Sequence, residues 1–229
     1  MHRCAQPLIK SAVWLSLLFV LQSCVLISKQ YRYGYIAFNG EDVYNTGTSV
    51  SIPENAPSIS QRYQPVMVGK SGDAIEKGHE GIDIIAKRGT PIIAPANGLV
   101  ERSFWGPMYG NQLQIGHGTD AKGRHIKTRY FHLGKRLVKK GAEITRGQQI
   151  GTLGGSGVLA PNPHLHFETQ LLLKDGLIQK LKPLNPHFFW FDGIGKVTCY
   201  SADKKWTTSE LRLTYPVPCK STPLTKPKE

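Results

Sequence analysis

The stretch His164-Leu165-His166-Phe167-Glu168-Thr169 alternates polar and apolar residues, which is the pattern of a β-strand with one apolar face. Residues two apart on a strand project from the same face, so we expect His164, His166 and Glu168 to point in one direction. Two imidazoles on one face can serve a catalytic metal site, because one can bind the ion while the other transfers protons beside it. This stretch therefore predicts both a sheet and a site on its surface.

The rest of the chain favours the same fold class. Residues 112–115 and 125–131 form further short alternating runs between glycines, and neither a long amphipathic helix nor an internal repeat is visible. A domain of about 130 residues is large enough to bury one hydrophobic core. We predict a mostly antiparallel β domain with few short helices over residues 58–187.

Three more residues complete a candidate metal site. His79 and Asp83 are four residues apart, and His132 follows in a later run. Catalytic zinc takes three protein ligands from His, Asp or Glu and keeps a fourth position for water. His79, Asp83 and His166 match this count. His132 and His164 then remain for proton transfer, and the sequence leaves open which of them is the general base.

Two other chemistries are disfavoured. The order His79-Glu80-x-x-Asp83 mimics a helical zinc-protease motif in which the Glu is the base, but Gly81 and the strand-like residues 82–85 argue against a helix. Residues 154–157, Gly-Gly-Ser-Gly, lack the ending of a phosphate-binding loop and the spacing of a nucleophile elbow. This run predicts a flexible turn. The remaining histidines, predicted to be solvated or structural, are His2, His117, His125 and His187.

The motifs resemble those of a known family. They are His79-x-x-x-Asp83, Tyr130-x-His132-Leu133 and His164-Leu165-His166-Phe167-Glu168, and they resemble the three motifs of the M23 peptidases, the lysostaphin-like or LytM-type zinc endopeptidases. The resemblance covers residues 58–187. It implies an antiparallel β-sheet groove of the LytM type, similar to a duplicated hybrid motif, with zinc at its floor. It also implies hydrolysis of peptide cross-links in bacterial peptidoglycan.

The same resemblance assigns roles to single residues. It implies one zinc ion per chain with His79, Asp83 and His166 as ligands, and His132 and His164 as the catalytic pair. Asn111 lies in the family-like segment Tyr109-Gly110-Asn111 and is predicted to bind substrate, with the alternative that it holds a turn. Glu168 either orients a ligand imidazole or forms a surface ion pair.

The amino terminus predicts export. Arg3 and Lys10 precede an apolar stretch at residues 12–21, which suits a secretory signal and is shorter than the ~20 residues of a membrane span. Leu21-Gln22-Ser23-Cys24 resembles a lipobox, which implies a signal peptide at residues 1–23 and lipidation of Cys24. Val25 follows the cysteine, and this resembles the signal for anchoring to the outer membrane on its periplasmic side. The alternatives are a secreted chain and an inner-membrane anchor.

The other cysteines and the flanking segments complete the domain prediction. Cys4 would leave with the signal peptide and Cys24 would carry lipid, so Cys199 and Cys219 remain as a disulfide pair. Residues 24–57 are predicted to be a linker or arm. Residues 188–229 are predicted to be a C-terminal extension that the disulfide holds down, with a disordered tail.

Composition bears on the partners. The chain has 29 Lys and Arg against 16 Asp and Glu, a formal charge of +13, and loss of Arg3 and Lys10 leaves 13 minus 2, or about +11. No base-reading signature accompanies this charge, so we predict no nucleic-acid partner. Wall carboxylates and lipid phosphates would attract the same surface. The sequence thus predicts a peptidoglycan-cleaving zinc endopeptidase, with a non-catalytic envelope lipoprotein that binds peptidoglycan or regulates another hydrolase as the alternative. A zinc carrier is a third reading, and the oligomeric state is open.

Overall fold

The computed structural model describes residues 49–64, 67–68, 74–76, 78–120, 123–175, 178–207 and 209–220. The predicted signal peptide, the lipidation site Cys24, most of the predicted arm and the tail at residues 221–229 lie outside the described residues. Within the described ranges there is one short 3-10 helix, Pro186–Phe188, and no α-helix. No described helix has the length and apolar character needed to cross a membrane.

The described chain forms one large sheet and one small one. The strands are β1 (Ile59–Gln61), β2 (Met67–Val68), β3 (Ala74–Glu76), β4 (Ile82–Ile84), β5 (Pro91–Ile93), β6 (Gly98–Gly106), β7 (Gly110–Thr119), β8 (His125–Arg136), β9 (Glu143–Ile144), β10 (Gln149–Leu153), β11 (Leu165–Asp175) and β12 (Ile178–Leu184). The ten-stranded sheet runs in the order β1-β4-β11-β8-β7-β6-β9, with β12 on β11 and β10 between β5 and β8, while β2 and β3 pair separately. All these strand pairs are antiparallel, so the predicted fold class is confirmed.

Strand β11 lies at the centre of the sheet and positions the site. The predicted alternation is present, because Leu165 and Phe167 are fully buried in the core. His166 lies on the other face, opposite Asp83 of β4 on one side and Phe131 of β8 on the other. The antiparallel register of β4 and β11 therefore brings Asp83 beside His166.

The C-terminal extension packs against the core of the large sheet. Trp190 pairs with Leu213 in a parallel bridge, and its indole nitrogen donates a hydrogen bond to His187 Nδ1 at 2.8 Å. The Ile93 amide donates to the Pro216 carbonyl, which joins the extension to strand β5. The extension residues in the buried core are Phe189, Trp190, Val197, Leu213, Tyr215, Val217 and Cys219. Phe189 and Trp190, at the start of the extension, are thus part of the hydrophobic core.

Cys199 and Cys219 form a disulfide with their Cα atoms 5.9 Å apart. Opening it should lower the free energy of unfolding, because the unfolded chain regains the freedom that a loop of about twenty residues had lost. We expect the double variant Cys199→Ser/Cys219→Ser to lose roughly 3 kcal/mol in urea unfolding. Unfolding of the reduced wild-type protein should give the same loss, and an unchanged midpoint in both would contradict this role.

Candidate active site

Three ligand atoms from distant parts of the chain converge on one point. Asp83 Oδ1 lies 2.8 Å from His166 Nδ1 and 3.2 Å from His79 Nε2, and the two imidazole nitrogens are 3.0 Å apart. Ligand atoms bound to tetrahedral zinc at about 2.0–2.1 Å are separated by roughly 3.3 Å. His79, Asp83 and His166 therefore form a group that could hold a metal ion.

Hydrogen bonds on the outer side fix which nitrogen of each imidazole faces this point. His79 Nδ1 donates to the Arg62 carbonyl at 2.7 Å, and His166 Nε2 donates to the Glu168 carboxylate at 3.0 Å. The inner nitrogens of the neutral rings, His79 Nε2 and His166 Nδ1, are consequently acceptors.

Three acceptors at such distances require a positive charge between them. Burial alone would lower the pKa of His166, but its hydrogen bonds to Asp83 and Glu168 outweigh this effect and raise the pKa to about 9. Burial would raise the pKa of Asp83, but hydrogen bonds from His166 and His79 hold it well below its usual range. The donor set of two imidazole nitrogens and a carboxylate oxygen fits a divalent metal such as zinc.

Glu168 is buried, with 3% of its surface exposed, although it carries a carboxylate. It accepts hydrogen bonds from His166, from Arg129 Nη1 at 3.1 Å and from Gln170 Nε2. Arg129 lies opposite Glu168 in the β8–β11 register, which explains why the pair meets. Glu168 therefore makes the predicted hydrogen bond with the candidate ligand imidazole of His166. It also forms an ion pair with Arg129, which holds the carboxylate in place.

His132 and His164 lie beside the three-atom cluster. Their ring centroids are 4.7 Å apart, and His164 Nε2 lies 3.8 Å from Asp83 Oδ1. His132 Nδ1 donates to the Ser156 carbonyl at 2.9 Å and His164 Nδ1 donates to the Asn162 carbonyl at 2.8 Å. Both Nε2 atoms are left without a hydrogen in the neutral rings. Each of these two imidazoles can therefore accept a proton at Nε2.

His132 has an unusual backbone. Its φ of 59° makes it the one non-glycine residue with positive φ in the described part of the chain, a conformation that costs of order 1–3 kcal/mol and is often found at functional sites. The Tyr109 carbonyl accepts its amide hydrogen at 3.0 Å. Burial lowers the pKa of His132, and the hydrogen bond to the Ser156 carbonyl only partly offsets this. Burial thus favours the neutral ring, in which Nε2 is a hydrogen-bond acceptor.

Ser156 is a residue that the sequence analysis missed. Its carbonyl holds the His132 ring, and its hydroxyl donates to the Leu133 carbonyl at 2.7 Å and accepts from the Asn111 amide at 2.9 Å. The flanking Gly157 and the facing Gly110 both have positive φ, and a Cβ on either would lie under 2.5 Å from the other loop. The glycines around Ser156 were the available signal, because they mark a close approach between two loops.

Asn111 lies at the junction of these loops. Its side-chain nitrogen donates to the Leu133 and Gly134 carbonyls, each at 3.2 Å, and its side-chain oxygen accepts from Arg136. Asn111 therefore holds these loops together, as the alternative prediction for this residue expected. Substrate binding by Asn111 stays a prediction, because both amide hydrogens are used within the protein.

The other described histidines stand apart from the cluster. His117 is half-buried and lies between the Asn97 carbonyl and the Thr128 hydroxyl at 2.7 Å each, and desolvation lowers its pKa to about 4. His187 accepts from Trp190, and His125 is exposed at the start of β8. Glu80 is exposed and lies outside any helix. The fold and the site thus define a β-sheet protein with a candidate single-metal centre flanked by two imidazoles.

The comparisons with known proteins agree with this class. The family profile described as Peptidase family M23 matches residues 77–186, and this domain of the chain belongs to that family. The chain is 45% identical over 92 residues to a peptidoglycan DD-endopeptidase, ShyC, of Vibrio cholerae, an alignment that covers 40% of this chain and 20% of the relative. A second Vibrio cholerae peptidoglycan DD-endopeptidase, ShyB, is 42% identical over 142 residues, with 58% of this chain and 32% of the relative covered.

Other relatives are named for a different role. The murein hydrolase activator NlpD of Salmonella typhimurium is 29% identical over 175 residues, covering 64% of this chain and 44% of the relative. Among solved structures, the catalytic domain of lysostaphin from Staphylococcus simulans overlaps with a TM-score of 0.41 at 28% identity, covering 55% of this chain and 88% of that one. The chain spans only about a fifth of the length of the first curated relatives, with 20%, 18% and 22% of their residues aligned.

Proposed function

We propose that this chain is a zinc endopeptidase that hydrolyses peptide cross-links of bacterial peptidoglycan. The observation that carries the proposal is the convergence of three acceptor atoms, from His79, Asp83 and His166, beside two imidazoles with free Nε2 atoms. The M23 domain supports peptide hydrolysis, and the similarity to the peptidoglycan DD-endopeptidases ShyC and ShyB supports peptidoglycan as the substrate.

Each residue of the site would have a separate role in the reaction. A bound zinc ion supplies Lewis-acid polarisation of the peptide carbonyl and lowers the pKa of a water molecule to about 7. His132, which burial keeps neutral, takes the proton of the attacking water at Nε2 and delivers a proton to the leaving amine. His164 in its protonated form donates from Nε2 to the oxygen that becomes negative. Glu168 keeps the His166 ring oriented during these steps.

A non-catalytic regulator is the second candidate, because the chain is also similar to murein hydrolase activators. The two candidates differ in what the site must contain. A regulator has no need of a complete ligand set or of two imidazoles beside it, whereas all five predicted site residues are present here and lie together.

The proposed cellular location of the protein follows from its proposed substrate. We propose that it works in the periplasm on peptidoglycan peptides, because that polymer lies outside the cytoplasm and the relatives named after it would meet it there. Anchoring to the outer membrane through lipidated Cys24 belongs to this proposal and is supported by the lipobox-like residues 21–24.

Hydrolysis of isolated wall fragments tests the proposal. Purified protein should release new free amines from peptidoglycan fragments, and a chelator should abolish the release because it removes the ion that would activate the water. Added zinc should restore it. A protein that releases no amines in the presence of zinc, but accelerates a separate wall hydrolase, would instead be a regulator.

A further inference from the structure

A cavity lies where the C-terminal extension meets the M23 domain, and we call it the extension cavity. Its volume is about 470 Å³, which is within the range of small-ligand sites. The residues that line it come from both parts of the chain and include Asn97, Thr145, Arg146, Trp206, Glu210 and Arg212. A second cavity of about 680 Å³ adjoins it, since Asn97, His117 and Thr145 line both. The two cavities together form a groove along the end of the sheet.

The extension cavity is remote from the candidate active site. Strand β7 connects the two places, because Asn111 near its start contacts the loops around His132 and His117 near its end lines the cavity. Six residues of β-strand separate Asn111 from His117, which corresponds to about 20 Å. Trp206 and the residues after it lie beyond residue 186, where the matched M23 domain ends. The extension cavity is therefore a feature of this chain's extension rather than part of the metal centre.

Arg146 is a half-buried cation in this cavity that has no acidic partner. Its guanidinium donates to the Pro95 and Arg212 carbonyls, and none of the ion pairs within the described ranges includes it. Burial lowers the pKa of Arg146 to about 10, as expected for a cation that has lost water without gaining a carboxylate. Burial of a charge is unfavourable unless the charge is paired. An anionic ligand at Arg146 would remove this cost.

The guanidinium is held in place and keeps donors for a ligand. It has five N–H donors, and two of them serve the Pro95 and Arg212 carbonyls, so three have no acceptor within the described part of the chain. Its Cζ atom lies 5.5 Å from the centre of the Phe191 ring and 5.4 Å from that of the Trp206 ring. A planar carboxylate is an anion whose two oxygens match such a fork of donors.

The other charges of the groove do not cancel that of Arg146. The charged side chains that line the extension cavity are Arg146, Glu210 and Arg212. Glu210 lies 2.9 Å from Arg212, so these two charges offset each other. Glu143 belongs to the wall of the adjoining cavity and is exposed. The disulfide of the extension closes the loop that carries Glu210 and Arg212, which holds the cavity in shape before a ligand binds.

We propose that the extension cavity is a second binding site for peptidoglycan, in which Arg146 binds a carboxylate of a stem peptide. The choice of a wall peptide as the ligand rests on the proposed function, whereas the carboxylate chemistry rests on the cavity alone. A site about 20 Å from the metal centre holds one part of the polymer while another part reaches His132. Binding at two places raises the effective concentration of cross-links at the metal centre.

Two peptides that differ in a single charge test this site. The probes are acetyl-lysyl-D-alanyl-D-alanine with a free C-terminal carboxylate and the same peptide with a C-terminal amide. The indole N–H resonance of Trp206, assigned with the variant Trp206→Phe, is followed by NMR in the full chain carrying His132→Ala to prevent cleavage. We expect the free acid to saturate the shift at about tenfold lower concentration than the amide, because only the acid pairs with Arg146. Equal titrations would overturn the inference.

Variants of the guanidinium assign the effect to one residue. In Arg146→Gln the preference for the free acid should disappear, and a preference that stays near tenfold would overturn the assignment. The matched control Arg102→Gln also removes a guanidinium that lies over an aromatic ring, 4.3 Å from the centre of Phe104, but lines neither cavity. It should keep the full preference. If Arg146→Gln fails to fold, Arg146→Lys takes its place. Its preference should be smaller because lysine lacks the planar fork, and an unchanged preference would contradict the proposed contact.

Further measurements separate the possible ligands and the two proposals. Sodium acetate and inorganic phosphate should shift the Trp206 resonance only at concentrations at least about tenfold above that of the free-acid peptide, because they lack its remaining contacts. Saturation by either ion at the peptide's concentration would overturn the assignment to a wall peptide. A wild-type protein that releases no amines from wall fragments, but whose Trp206 resonance still prefers the free acid, would contradict the proposed function and leave the carboxylate site in place.

Discussion

The variant His166→Ala should lose both stoichiometric zinc binding and peptide hydrolysis. His166 contributes one of three acceptors that lie 2.8–3.2 Å apart, and it is the one that links Asp83 to Glu168. Two remaining ligands cannot complete a catalytic zinc site, which uses three protein ligands. Elemental analysis of dialysed protein and amine release from wall fragments measure the two losses, and we expect no detectable turnover above background.

The exposed His125 provides a matched control, because His125→Ala removes an imidazole from the start of β8 without touching the cluster. It should keep full metal content and activity. Glu168→Gln should weaken metal binding by about 10–100-fold. The glutamine has the same shape as Glu168 beside the His166 ring, but it carries no negative charge. Wild-type metal content and turnover in His166→Ala would rule out the proposed centre.

The variant His132→Ala should retain its metal but lose about 10²–10⁴-fold in kcat. His132 touches none of the three ligand residues by hydrogen bond, and its free Nε2 is the acceptor that the attacking water needs. Zinc content should therefore stay at one per chain while turnover collapses. Normal turnover in this variant would show that another group takes the proton.

Two further substitutions separate chemistry from folding at this position. Glycine adopts a φ of 59° freely, so His132→Gly should be at least as stable as His132→Ala and equally inactive. Ser156→Ala keeps the carbonyl that binds His132 but removes two hydrogen bonds that hold this carbonyl in place. We expect a smaller loss in kcat with little change in KM or metal content, because the serine acts through the position of His132.

Much of the site was accessible from sequence because its chemistry depends on residue type and local spacing. The alternation around His166 predicted a strand, and the period of two placed Glu168 on the same face as the imidazole. Glu168 is indeed bound to His166. The interpretation of residues 154–157 as a plain turn was incomplete, because the function of Ser156 depends on contacts with residues 23 to 45 positions away.

The sequence by itself determined the antiparallel β class through its short alternating runs, and it supplied the five candidate site residues through their side-chain types and their resemblance to the three M23 motifs. Only the tertiary structure decided which ring nitrogens face the shared point, the positive φ of His132 and the complete burial of Trp190. These features arise where segments far apart in the chain meet. His79 and His166 are separated by 87 positions, and the strand register that joins them is a property of the whole sheet.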